Sequence, residues 1–169
     1  MSFTVSGIFG FLYEELFYRI DLGYFVKRGS GFGPWIDIYG LGGVAILLAT
    51  ERIRNKPWLV FLTSAVLSGT MEFAAGFLIF HLFHARPWDY NVEIWNWGNI
   101  GGYVCARSVL VFALSALLLQ YLIRPALERF IHRTSPRTAC LWAVVPAGVF
   151  ALDCAVGVTR TVIAYTAGG

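Results

Sequence analysis

The most constraining feature of this chain is a long apolar segment with one carboxylate at its centre. The segment runs from Trp58 to Phe83 and reads WLVFLTSAVLSGTMEFAAGFLIFHLF. An α-helix needs about 20 mostly apolar residues to cross the hydrocarbon core of a bilayer, so this segment is long enough to span it. Glu72 lies in its middle. Because a charged side chain is costly at that depth, it usually faces a bundle interior or a water-filled cavity.

The composition extends this prediction to the whole chain. Of its 169 residues, 57% are hydrophobic and 14% are charged, whereas soluble domains carry about 25% charged residues. We therefore predict an all-α polytopic membrane protein, surrounded by membrane lipids and without a sizeable soluble domain. The net charge of +3 is small and the Lys and Arg residues are scattered, so we expect no nucleic-acid partner.

Apolar stretches predict about five transmembrane helices in a single domain, residues 1–169. Their approximate ranges are Phe3–Tyr24, Pro34–Thr50, Trp58–Phe83, Gly98–Ile123 and Thr138–Thr166. Cytoplasmic loops carry an excess of Lys and Arg. Seven of these residues would lie on one side, namely Arg52, Arg54, Lys56, Arg124, Arg129, Arg133 and Arg137, and four on the other, namely Arg19, Lys27, Arg28 and Arg86. This asymmetry predicts a multi-pass protein of the cytoplasmic (inner) membrane, with its N-terminus in the cytoplasm and its C-terminus outside.

Two linkers between the predicted helices are rich in glycine and aromatic residues. They read GSGFGPWIDIYGLGG (29–43) and RPWDYNVEIWNWGNIGG (86–102). Non-helical backbone is tolerated at membrane depth only where protein or water covers it, so these linkers could enter the bundle. Both contain Pro-Trp and end in Gly-Gly, and Glu14 and Glu72 each precede a glycine by 26 residues. The pattern indicates either a parallel duplication, with repeats 1–52 and 57–124 and an extra helix at 138–166, or merely similar loop composition.

The third predicted helix has a polar face around its carboxylate. Four residues recur at i, i+4 spacing and therefore share one side: Ser64, Ser68, Glu72 and Gly76. This face would bind a proton or a cation, or it would be a helix contact that contains one hydrogen-bonded glutamate.

Three further ionisable residues belong to other predicted helices. Glu14 lies in the first, Arg107 begins the fourth and Asp153 lies in the fifth. We expect Glu14 and Glu72 to meet in a polar centre, with Asp153 and Arg107 nearby. An ion pair of Arg107 with Glu72 or Asp153 would fit a structural role equally well.

Several motifs, in the same order along the chain, resemble the CmpB-like family of type IV ABC-transporter membrane proteins. YFVKRGSGFGPWIDIYGLGG is similar to that family's F-x-N-R-G-x-x-x-G-P-x-x-P-I-Y-G-x-G segment. TMEFAAGFLIFHLFHARPWDYN is similar to its T-x-L-E-Y-x-x-G and W-W-D-Y-S motifs, and NIGGYVCARSVL to its N-I-x-G-R-I-C-L segment. The likeness extends from Gly10 to about Asp153.

The resemblance implies a transport function and selects particular positions. These are Glu14, Arg28, Gly29, Gly33, Pro34, Tyr39, Gly40 and Gly42 in the first half, and Glu72, Gly76, Trp88, Asp89, Tyr90, Asn99, Gly102 and Cys105 in the second. The chain departs from the family at three positions: Asp37 replaces a proline, Phe80 replaces a glutamate and Tyr103 replaces an arginine. These departures weaken any direct transfer of substrate.

We therefore predict a small permease-like membrane protein, and the sequence favours transport over enzymatic activity without deciding between them. It would bind a proton, a cation or a small polar solute through Glu14, Glu72, Arg28, Tyr39, Asp89, Asn99, Arg107 and Asp153. Arg28, Tyr39, Asp89 and Asn99 would form the rim, and the glycine-rich linkers would gate access. The alternatives are an intramembrane enzyme for a lipid or isoprenoid-like substrate, with Glu72 and Asp89 as its acid and base, and a non-catalytic subunit of a larger complex.

The sequence also bounds cofactors and partners. It contains no Walker A motif, so an ABC-type mechanism would require a separate ATP-binding subunit. His81 and His84 lie three residues apart without a convincing third ligand, so we expect no metal, and no cofactor motif is present. Because so small a chain can barely enclose a pathway alone, a homo-oligomer is a plausible assembly.

Overall fold

The computed structural model describes residues 1–29 and 31–167, without the side chains at positions 158, 161, 162 and 164–167. Position 30, in the first glycine-rich linker, lies outside the described residues. The helices are α1 (Ser2–Leu22), α2 (Asp37–Thr50), α3 (Pro57–Phe83), α4 (Ala106–Leu118), α5 (Arg124–Arg133) and α6 (Pro136–Ala167). A 3-10 turn, Glu51–Ile53, follows α2, and a π-helical turn, Leu119–Ile123, joins α4 to α5. The described part of the chain has no strand, so the predicted all-α class is confirmed.

Three helical stretches among the described residues are long and apolar enough to cross a membrane. They are Pro57–Phe83, Ala106–Arg133 and Pro136–Gly157. Only 17%, 33% and 17% of their most apolar windows are buried inside the protein. Apolar surface left this exposed is unfavourable in water, so lipid is the medium that fits it. We conclude from this exposed apolar surface that the chain is a membrane protein.

The ends of these helices have local causes. Pro57 lies in the first turn of α3, where its missing N–H costs nothing. Cys105 caps α4: its Sγ accepts from the Ser108 N–H, and the Ser108 hydroxyl accepts from the Cys105 N–H. The fourth helix was predicted from about Gly98, but it begins only at Ala106. Gly98, Gly101 and Gly102 have φ values of 68°, 62° and 81°, which a right-handed helix excludes.

The chain divides into two compact units. The first contains Met1–Ala45 and Ile123–Gly169, and the second contains Ile46–Leu122.

In the first unit, the linker after α1 returns alongside α1 in a non-helical conformation. The Arg28 side chain contacts Glu14 at 2.8 Å, and further along the Ile36 N–H donates to the Gly7 carbonyl at 3.0 Å. Because Gly7 and Gly10 lack side chains, the rings of Phe150 and Tyr39 can lie against α1. Between these contacts the linker follows α1 towards its N-terminus, and α2 begins beside the N-terminal third of α1, where Ile36 bonds to Gly7.

In the second unit, α3 and α4 are antiparallel neighbours. Glu72 contacts Ser108 at 2.7 Å, and Gly69 lies against Val109, which fixes the register. The loop 84–105 folds beside the C-terminal half of α3, so α4 begins near the middle of α3. At the other end, the Tyr121 hydroxyl donates to the Arg54 carbonyl at 2.6 Å.

Candidate functional site

The polar face predicted on α3 is buried. Val60, Ser64, Ser68, Glu72 and Gly76 are the buried residues of this helix, and they recur every four residues on one side. Glu72, at its middle, is 6% exposed. The carboxylate therefore faces protein within the second unit.

Glu72 accepts hydrogen bonds from two hydroxyl groups on different elements. The Tyr90 hydroxyl donates to Oε1, and the Ser108 hydroxyl lies 2.7 Å from Oε2. Tyr90 is held in place by a bond of 3.2 Å from its backbone N–H to the Gly102 carbonyl. Burial, and then the nearby Glu72 carboxylate, raises the pKa of the Tyr90 phenol above its ordinary value of 10. Tyr90 therefore keeps its proton and acts as a donor.

Ser108 gives this carboxyl a partner in both protonation states. Its Oγ also lies 2.8 Å from the Cys105 carbonyl oxygen. When Glu72 is ionised, the Ser108 hydroxyl can donate to it. When Glu72 is protonated, its O–H can donate to Ser108, whose own proton then turns to the Cys105 carbonyl. The arrangement can take up and release a proton without leaving a buried polar atom unpaired.

A buried ion pair lies beside Glu72. The Nη2 atom of Arg107 contacts Oε2 of Glu93 at 2.6 Å, and the Arg107 guanidinium lies 5.4 Å from the centre of the Tyr90 ring. We call Glu72, Tyr90, Glu93, Arg107 and Ser108 the Glu72 cluster; each is at most 9% exposed. Its two carboxyls and one guanidinium become neutral overall when one proton is bound.

The sequence interpretation missed Glu93 and Ser108. Glu93 stands in a linker without periodicity, between Val92 and Ile94, and no helical face indicates its burial. Its apolar neighbours were the available signal. Arg107 pairs with Glu93, and the expected pairing of Arg107 with Glu72 or Asp153 stays a prediction.

An aromatic wall covers α3 on the C-terminal side of Glu72. The rings of Trp88 and Tyr103 lie against Gly76, where a Cβ atom would come within 3.2 Å of each. Tyr103 also packs on Phe73, Phe77 and Phe80. The Arg86 guanidinium lies 4.4 Å from the ring centre of Phe80 and 5.1 Å from that of Tyr103. Phe80 and Tyr103 thus bind Arg86 through cation–π contacts.

The predicted rim residues of the second linker stabilise a polar turn. Asp89 contacts Arg86 at 3.4 Å and accepts from the side-chain amide of Asn91 at 2.7 Å. Asn99 donates to Asn91 at 2.8 Å and accepts from the Gly102 N–H at 2.8 Å. These contacts hold the loop that carries Tyr90 and Glu93. Asp89 and Asn99 therefore position the cluster.

The remaining predicted site residues belong to the first unit. Glu14 forms an ion pair with Arg28, whose guanidinium also lies 4.0 Å from the centre of the Tyr18 ring. Tyr39, on α2, packs against Gly10 and lies 6.5 Å from Tyr13, measured between ring centres. The expected meeting of Glu14 with Glu72 stays a prediction, since the two belong to different units.

Asp153 holds the non-helical linker of the first unit in place through hydrogen bonds. Its carboxylate accepts from the Phe32 N–H at 2.8 Å, from the Gly33 N–H at 2.9 Å and from the Trp35 indole N–H at 2.7 Å. The side chain is 1% exposed. Three hydrogen bonds to a buried carboxylate satisfy the backbone of the linker, which membrane depth requires. Asp153 thus has a structural role in this unit.

The part of the chain that the structure describes contains no candidate metal site. No group of three or more His, Cys, Asp or Glu side chains is placed to hold an ion there. His81 instead contacts the Phe77 carbonyl at 2.8 Å and stacks on the Phe77 ring.

Comparison with known proteins identifies the family. No curated protein and no solved structure matches the chain. A family model described as "Putative ABC-transporter type IV" matches residues 1–158. The match covers the first unit through most of α6 and all of the second unit, including the Glu72 cluster. The chain belongs to this CmpB family of ABC-transporter proteins.

Proposed function

We propose that this protein is the membrane component of a transporter and that Glu72 binds a proton during its transport cycle. Family membership supports a transport role, and the three long apolar helices support a membrane location. The single observation that carries the proposal is the hydrogen bonding of Glu72. Tyr90 and Ser108 supply two hydroxyls to its carboxyl, and Ser108 can reverse its role when the proton binds.

Charge balance in the Glu72 cluster supports a proton over a larger ligand. Two carboxylates and one guanidinium together carry one negative charge. Binding one proton cancels this charge in a place that water solvates poorly. Both carboxylate oxygens already have protein partners, which a metal cation would have to displace. Proton binding needs only a rotation of the Ser108 hydroxyl.

We further propose that α1 and α2 also cross the bilayer, which gives five spans. At about 1.5 Å per residue, the 21 residues of α1 extend about 32 Å, close to the thickness of the hydrocarbon core. The 14 residues of α2 are too few alone, but the preceding linker extends them. In this proposal the N-terminus is cytoplasmic, the C-terminus is outside, and residues 1–169 form a single domain.

The two halves of the chain share a plan that supports duplication. In each, a long helix is followed by a linker that returns alongside it and leads into a second helix that begins beside the first. Glu14 contacts Arg28 of the linker in the first half. In the second half, Glu72 contacts Tyr90 of the loop 84–105. We propose that Glu14 and Arg28, with Tyr39, act as the counterpart of the Glu72 cluster. Homo-oligomers and a separate ATP-binding subunit are the proposed partners.

Proton flux through reconstituted protein tests the proposal. Liposomes would contain a pH-sensitive dye, and a potassium gradient with valinomycin would drive proton entry. We expect faster acidification than in protein-free liposomes, and a return to the protein-free rate for Glu72→Gln. Glu128→Gln is the matched control, since Glu128 lies on α5 with its side chain 52% exposed. Equal flux for wild type and Glu72→Gln, or no flux above that of protein-free liposomes, would overturn the proposal.

A further inference from the structure

We propose that protons reach Glu72 along a buried polar path between α3 and α4. The path consists of Ser68, Ser64 and Gln120 with bound water between them, and it leads to the end of the second unit where Tyr121 contacts Arg54. This inference rests on the proposed function and adds its route.

The spacing along α3 fits water-bridged oxygens. Ser64, Ser68 and Glu72 are successive members of one helical face, about 6 Å apart along the axis at 1.5 Å per residue. Two oxygens at that separation are too far apart for a direct hydrogen bond. One water between them makes two bonds of about 2.8 Å each. All three side chains are buried, at 0%, 7% and 6% exposure.

Two oxygens on this path have no hydrogen-bond partner among the described residues. They are Ser64 Oγ and Gln120 Oε1, in side chains that are 0% and 4% exposed. Helical hydroxyls can bond their own helix, as Thr70 does with the Val66 carbonyl at 2.7 Å. Ser64 does not. Since buried polar atoms are nearly always satisfied by protein or by ordered water, both oxygens indicate water.

The helix register places Gln120 beyond Ser64 on the same path. Glu72 lies opposite Ser108, so in an antiparallel pair Ala116 falls opposite Ser64 and Gln120 opposite Val60. Ala113 and Ala116 are buried at 0% and 1% exposure, so the buried side chains of this stretch of α4 are small. Gln120 lies in the π-helical turn Leu119–Ile123. Such turns are frequent at functional sites.

The two ends of the path differ in character. At the inner end, Glu72 is faced by Tyr90 and Glu93 from the loop and by Arg107 and Ser108 from α4. At the outer end, Arg54 and Glu51 form an ion pair with side chains 58% and 47% exposed. Protons can therefore enter from water at this end. The path then delivers them to a carboxyl that can bind them.

Infrared spectroscopy after a pH jump measures this route. The protonated carboxyl band of Glu72, identified by its loss in Glu72→Gln, would be followed in time in lipid-reconstituted protein. Ser64→Ala and Gln120→Met each remove one oxygen of the path with little change in volume. We expect an unchanged band amplitude, with a rise about tenfold slower, as each water-bridged step is interrupted. Thr70→Val, on an exposed face of α3, is the matched control and should keep the wild-type rate.

The outcomes separate this inference from the proposed function. A Glu72 band that rises equally fast in all variants overturns the path and leaves proton binding intact. The lack of any Glu72 band in wild type overturns the proposed function itself. Should both variants fail to fold, X-ray radiolysis of wild type decides. Hydroxyl radicals formed from bound water on the path would oxidise Val60 and Leu119 despite their burial. Unlabelled Val60 and Leu119 would overturn the path.

Discussion

At the scale of single residues, Tyr90 illustrates how one hydroxyl stabilises a buried carboxyl. Tyr90→Phe removes the donor to Glu72 and leaves the ring in place. We expect the free energy of unfolding to fall by about 1–3 kcal/mol, because a buried acceptor loses its partner. Thermal unfolding in detergent would measure it. Tyr24→Phe, at a ring that is 59% exposed, should change little, and equal effects would contradict the assignment.

The Glu93–Arg107 pair supplies a second residue-scale prediction. Glu93→Gln removes one partner of a buried ion pair, so we expect a loss of about 3–5 kcal/mol in unfolding free energy. The double variant with Arg107→Gln should lose less than the sum of the two single variants. Glu128→Gln breaks the exposed pair with Arg124 and should lose about 1 kcal/mol or less. Additive losses would contradict a direct pair.

Prediction from sequence worked unevenly for single residues. Glu72 could be found because a carboxylate amid apolar residues must face protein or water. Most partners of Glu72, Arg107 and Asp153 could not be found, since Tyr90, Glu93 and the N–H groups of residues 32 and 33 lie in linkers whose path depends on tertiary contacts. Asp153 bonds to backbone N–H groups, and Glu93 lies in irregular chain. Neither contact produces a periodic pattern in the sequence.

At the scale of elements, the two linkers depend on positions with special backbone requirements. Gly23 and Gly102 have similar φ values, 80° and 81°, but different surroundings. A Cβ at Gly23 would meet nothing within 4 Å, whereas one at Gly102 would meet Arg86, Asp89 and Asn91. We expect Gly23→Ala to cost about 1–3 kcal/mol from strain alone and Gly102→Ala to cost clearly more. Thermal unfolding compares them directly, and equal costs would contradict the packing of this loop.

The first linker should depend on the Asp153 carboxylate. Asp153→Asn replaces one acceptor oxygen with an N–H donor, although three donors converge on that side chain. We expect limited proteolysis to cut the stretch 24–36 much faster in this variant. Asp37→Asn is the control, because Asp37 bonds only locally, to the Ile38 N–H at 2.9 Å. Unchanged cutting of Asp153→Asn would contradict the proposed fastening.

Helix positions were predictable where proline or loss of apolar character defines an end. The predicted α3 differs from the observed helix by one residue at its start, and α1 and α6 differ by one or two residues there. The start of α4 was misplaced by eight residues, because Gly98–Cys105 is apolar enough to continue a span. Positive φ values and the Cys105 cap override that apolar pattern. The π-helical turn had no signal in composition.

At the scale of the whole molecule, the number of spans is the main open proposal. If α1 and α2 both cross the bilayer, the linker at Phe25 lies outside and Arg54 lies in the cytoplasm. In intact cells, a membrane-impermeant thiol reagent should label Phe25→Cys, which replaces a residue that is 73% exposed. Arg54→Cys should react only after permeabilisation. Labelling of both positions from the same side would contradict five spans.

The central claim is that Glu72 is a buried carboxyl that gains and loses a proton. Infrared difference spectra of lipid-reconstituted protein, taken between alkaline and acidic buffer, observe this event directly. The account predicts a reversible carboxylic-acid band that shifts when glutamate is ¹³C-labelled and disappears in Glu72→Gln. It also predicts that the band persists in Glu128→Gln. A spectrum that is identical for wild type and Glu72→Gln would contradict the account.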